Sequence, residues 1–84
     1  MYILVGSITV ASRLKKLLER VAGYPAEVVH TPSAINTGGC SYSVYADDRL
    51  KSMIMPFAAE YSIPVKKLYT MDIIDGERVY NDIS

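Results

Sequence analysis

Among the side chains able to do covalent chemistry, one stands apart. Cys40, the only cysteine in 84 residues, closes the polar loop TPSAINTGGC at the start of a strand, within the stretch TPSAINTGGCSYSVY from Thr31 to Tyr45. A thiolate is both a nucleophile and a carrier of a chalcogen atom, and donors that converge on it favour that form. Gly38 and Gly39 stand immediately before it and can fold into a nest of backbone N–H groups. A cysteine that only packs more often lies within an apolar run, as a small hydrophobe. One cysteine forms no internal disulfide and no all-cysteine metal cage, and nothing in the sequence signals a metal or an organic cofactor. His30 and Asp48 are the nearest titratable groups along the chain. A cysteine–histidine hydrolase needs its pair within hydrogen-bond reach and a third group to orient it, which this spacing does not supply.

Periodicity gives the elements that must position these residues. MYILV, bounded by Gly6, suits a strand near the sheet centre. In the next segment Val10, Leu14, Leu17, Leu18 and Val21 recur at helical spacing, with charged residues between them. Ser7 or Thr9 can cap that helix, and Gly23 can end it. AEVVH (Ala26 to His30) and CSYSVYA (Cys40 to Ala46) read as strands. Asp47 or Asp48 then caps a second helix with a stripe of Leu50, Met53, Ile54, Phe57 and Tyr61. Pro56 falls within that stripe and predicts a kink or an early end. VKKLYTMDII and ERVYND flank Asp75–Gly76, a strong two-residue hairpin signal.

This order predicts an α+β fold for a single domain spanning residues 1–84. It suits a ferredoxin-like βαββαβ sandwich, with an antiparallel sheet, two helices on one face and a short extra C-terminal hairpin strand. In that topology the first and third strands are antiparallel neighbours. Cys40 is then expected near Gly6, Ser7 and the first turn of the first helix. The N–H groups there, with those of Gly38, Gly39 and the Ser7–Thr9 turn, would favour a bound anion.

Charge narrows the classes of partner. Nine basic and nine acidic residues cancel, which leaves no field for a phosphate backbone. An RNA-binding reading, a distant third alternative, is weakened in detail as well. Gly39, Tyr42 and Tyr45 fit the third-strand motif of stacking RNA-binding domains, but Gly38 replaces its basic residue. Cys40 and Leu4 stand where aromatic stackers belong. No run is long enough to span a membrane and no signal peptide is apparent. The expectation is a soluble cytoplasmic protein that binds neither nucleic acid nor membrane.

GSITVASRLKKLL, followed by TPSAINTGGC and a strand, resembles the selenium/sulfur carrier protein-like family of small bacterial proteins. Ser7, Thr9 and Ala11 fit the first motif, and Thr31, Pro32, Gly39 and Cys40 fit the second, over about residues 2 to 71. Ser41 departs from the pattern, since glycine often follows the cysteine in the family. The resemblance implies a carrier more than a catalyst, holding sulfur or selenium on Cys40 as a persulfide or selenosulfide. Gly38, Gly39, Ser7, Thr9 and Thr31 would line the bound group, and a donor enzyme and an acceptor protein would be the partners. The competing expectation is a ligand-binding or homodimerising module that uses the open sheet face, with Cys40 incidental. Its motive is the count of seven tyrosines, a residue type favoured at interfaces.

Overall fold

The structure, a computed structural model, describes residues 1–36 and 38–84. The leading apolar run forms β1 (Tyr2–Val5) and the helical stripe forms α1 (Ile8–Leu17). Ser7 starts the helix from an extended backbone, and its Oγ accepts from the Val10 N–H at 3.2 Å. One of the donors a first turn leaves unpaired is thereby satisfied. The helix runs on into a π-helical turn at Leu18–Ala22 and stops at Gly23, whose φ of 74° is left-handed. That wider turn shifts the phase of the stripe. Leu18 is buried and Ala22 packs on the core, but Val21, expected on the stripe, is 55% exposed.

The second helical segment differs more from expectation. A 3₁₀ turn at Asp48–Leu50, capped by Asp47 Oδ1 accepting from Arg49 N–H at 2.8 Å, comes first. The helix proper, α2 (Ile54–Glu60), begins later. Pro56 therefore falls in its first turn, where the missing N–H has no intrahelical partner to lose. There is no mid-helix kink to explain. Leu50 and Ile54 of the expected stripe are buried, and Met53, Phe57 and Tyr61 pack against them.

With β2 (Ala26–His30), β3 (Tyr42–Ala46), β4 (Val65–Ile74) and β5 (Glu77–Asp82), the chain is α+β. Its strands form one open antiparallel sheet in the order β2-β3-β1-β4-β5. Asp75 and Gly76 take φ of 50° and 79°, the double left-handed turn that their sequence announces. Lys66 is an extra residue in β4, since Leu4 faces Lys67 while Val5 faces Val65. β4 outruns its neighbour: its residues up to Tyr69 lie beside β1, and Thr70–Ile74 pair with β5 alone. A two-stranded arm results.

Alternation along β1 divides the interior. Ile3 and Val5 turn toward both helices, meeting Leu14, Leu18, Ile54, Ala58, Val44 and Leu68 in the main core. Each fully buried aliphatic side chain there contributes about 1.5–3 kcal/mol. Leu4 turns the other way, into a smaller cluster on the opposite face. Among the described residues, no helix is long and apolar enough to cross a membrane.

Candidate functional site

The small cluster is built by the segment that joins β2 to β3. Thr31 anchors its start twice. The Thr31 N–H donates to Ser41 O at 2.9 Å, and its hydroxyl shares a buried 2.6 Å hydrogen bond with that of Ser43. A turn follows, in which Ile35 N–H donates to Pro32 O at 3.0 Å. It returns Ile35 to the sheet, where Ile35, Cys40 and Leu4 are buried together and Tyr2, Tyr69 and Tyr80 pack around them.

Gly38 and Gly39, both exposed, take φ of 71° and 83°. Among the described residues, a Cβ on either would meet nothing within 4 Å. Glycine is required there by backbone conformation, not by crowding. Ser41 N–H then donates to Gly39 O at 3.0 Å, and Cys40 has negative φ, so the cysteine occupies the centre of an inverse γ-turn at the mouth of β3. The Cys40 side chain is 4% exposed. No side-chain hydrogen bond among the described residues reaches its sulfur.

Val5 pairs with Tyr42, so Cys40 does lie at the Gly6–Ser7 end of the sheet. Its face differs from expectation. The sulfur packs with Leu4, whereas α1 packs on the side of Ile3 and Val5. Ser7 uses its hydroxyl as the cap of α1, and Thr9 is exposed in the first turn. Of the expected site residues, then, Cys40, Gly38, Gly39 and Thr31 share one segment, and Ser7 and Thr9 belong to the helix side. His30 also turns away. Its ring lies 4.9 Å from that of Tyr42, which packs on the main core. No cysteine–histidine pair forms.

Sequence reasoning missed Ile35, Leu4 and Ser43, which hold the cysteine segment down. Tyr2 and Leu4 at alternate positions of β1 were the available signal. Tyr2 is also the hub of the aromatic surface beside Cys40, with edge-on contacts to Tyr45 at 4.9 Å and Tyr80 at 5.9 Å. Burial, together with Tyr80 and Tyr45, pushes its phenol above the ordinary tyrosine range. Tyr45 is exposed on this face, whereas Tyr42 points into the helix side. A shallow groove of about 580 Å³ lies at the far end of β3, among Pro25, Glu27, Tyr45 and Asp47, and Cys40 is not part of it.

Residues 1–70 match a family model described as "Putative Se/S carrier protein-like". The chain belongs to that family. The match takes in β1 to β3, both helices and the whole Thr31–Cys40 segment, and it ends within β4. The outer part of the arm is thus additional to the Se/S carrier-like region. No curated protein and no solved structure matches the chain.

Proposed function

We propose that the protein carries sulfur or selenium on Cys40 between a donor enzyme and an acceptor protein in a reducing cytoplasm, on a single ferredoxin-like domain. One observation supports this most. The chain's only thiol lies within the Se/S carrier-like match, in a small satellite cluster and not in the main core. Exposing it requires only local opening of a short segment, not loss of the helix–sheet interface. The left-handed Gly38 and Gly39 sit beside it, where the segment can swing while Thr31 holds its other end to Ser43.

Loading proceeds by thiol exchange. The Cys40 thiolate attacks the outer sulfur of a donor persulfide, R–S–SH. A new S–S bond forms on Cys40, the donor's S–S bond breaks, and its electron pair leaves on R–S⁻, so no oxidant is consumed. A donor R–S–SeH gives Cys40–S–SeH by the same exchange. Backbone N–H groups of Gly38 and Gly39 would hold the terminal chalcogenide once the segment has opened.

Incubation with a low-molecular-weight persulfide, followed by intact mass measurement, tests the reading. One added sulfur is expected on the native chain and none on Cys40→Ser, with the sulfur lost again to an acceptor thiol. A Cys40 that alkylates readily but never takes up sulfur or selenium would sink it. The second reading, a binding module in which Cys40 only packs, draws on the buried sulfur and the tyrosines of the same face. It requires a thiol that resists both reagents.

A further inference from the structure

β5 leaves one edge of the sheet open, and its pairing with β4 fixes which backbone groups point outward. Tyr69 faces Asp82, so Leu68 faces Ile83, and the Ile83 N–H donates to Leu68 O at 2.9 Å. Hydrogen-bonded and non-bonded pairs alternate along an antiparallel ladder. Glu77, Val79 and Asn81 therefore direct their N–H and C=O groups at β4. Arg78, Tyr80 and Asp82 direct theirs at the free edge. Such edges are commonly blunted by charged side chains, lysine above all, and also by proline or a bulge. Glu77–Asp82 contains neither lysine nor proline, and its register on β4 is unbroken. The arm beyond Tyr69 is also narrower than a sheet that stands alone in water, and it leaves Ile73 68% exposed.

The geometry points to a second copy of this chain on that edge, β5 against β5, antiparallel about a two-fold axis at Tyr80. Outward-directed residues must meet outward-directed residues, which restricts the registers to a few. Centring on Arg78 opposes two arginines. Centring on Val79 sets Arg78 against Tyr80 and carries Asp82 past the partner strand. Centring on Asn81 sets Asp82 against Tyr80 and carries Arg78 past the end. Centring on Tyr80 bonds all three outward residues within the strand and places Arg78 opposite Asp82 of the second copy, twice over. Cross-strand pairs of opposite charge stabilise a ladder and like charges weaken it. Arg78 has no ion pair among the described residues. Asp82 is held ionised by Ser84 and Lys67, with its carboxyl at about 2. The interface uses β5, which lies outside the Se/S carrier-like match, and it is independent of any role for Cys40.

Sedimentation over a concentration series provides the test. The native chain is expected at the mass of two copies, and Arg78→Asp and Asp82→Arg each at the mass of one. An equimolar mixture of those variants returns to two, because each then supplies the charge that the other lacks. Tyr80→Pro removes an outward N–H without costing the β4 ladder a bond, and it is also expected at the mass of one. Amide exchange locates the edge. Tyr80 N–H should be protected in the native chain and fast in Arg78→Asp, with Val79 and Asn81 protected in both. A native chain that sediments as one copy at the highest attainable concentration overturns the proposal. So does a two-copy mass that persists in Arg78→Asp and Tyr80→Pro, or a Tyr80 amide that exchanges freely in the native two-copy form.

Discussion

Replacing Ile35 by alanine is expected to raise the rate at which iodoacetamide labels Cys40 by about 30-fold. Both side chains are 4% exposed, so labelling requires the segment to open. The observed rate is then the intrinsic rate multiplied by the open fraction. Truncation of a buried isoleucine to alanine costs ~2–5 kcal/mol. The low end applies because, among the described residues, Ile35 shares its cluster with two other buried residues, Leu4 and Cys40. About 2 kcal/mol, taken wholly from the closed state, is a factor of about 30 at 1.36 kcal/mol per decade. Labelling followed by mass, with thermal melting in parallel, makes the measurement. Leu14→Ala serves as the control, since Leu14 is buried in the main core. Under native conditions it should lower the melting temperature and leave labelling almost unchanged. If Ile35→Ala labels no faster than the native chain, Ile35 is not the gate. If Leu14→Ala accelerates labelling equally, the sulfur is reached only by global unfolding, and the carrier reading loses its route to Cys40.

Further outcomes follow from the same contacts. Thr31→Val or Ser43→Ala alone should cost about 1–3 kcal/mol in urea denaturation, because each strands its buried partner. The double variant should cost less than the sum. Gly39→Ala should cost about 1–2 kcal/mol through its left-handed backbone, since its Cβ would meet nothing among the described residues. Asp82 is held below its ordinary 3.8, at about 2, by hydrogen bonds from Ser84 and Lys67. A carboxyl depressed on folding adds stability above its unfolded value and loses it as pH falls through the folded one. The urea midpoint should therefore decline between about pH 4 and 2. That decline should be shallower in Asp82→Asn.

Much of the fold was legible because its signals are local. Ser7 and Gly23 bracket the helical segment as their capping chemistry requires, and Asp75–Gly76 closes the hairpin that dipeptide demands. Family membership was legible too, from motifs that fall inside the matched residues. Non-local competition decided what was not. Val21 has helical spacing, but a π-helical turn rotates it outward, and no single residue announces such a turn. Pro56 was legible as an interruption, while its position depended on where α2 starts. The face taken by Cys40 depended on Ile35 and the Thr31–Ser43 bond, a packing choice across the sheet that spacing along one strand does not encode.

The strand order has a consequence during synthesis. β1 pairs with β3 and β4, through Tyr2 with Tyr45 and Tyr69. It therefore leaves the ribosome with neither neighbour yet made. Ile3 and Leu4, which end up buried on opposite faces, must wait with both backbone edges open until β3 has been translated and with one still open until β4 follows. Contacts this distant along a chain close slowly, and unpaired apolar strands invite association meanwhile. Variants that delay or weaken β4 should then be found in aggregates of new chains before they are found among unfolded mature ones. The strand most enclosed in the finished molecule is the one left uncovered longest while it is made.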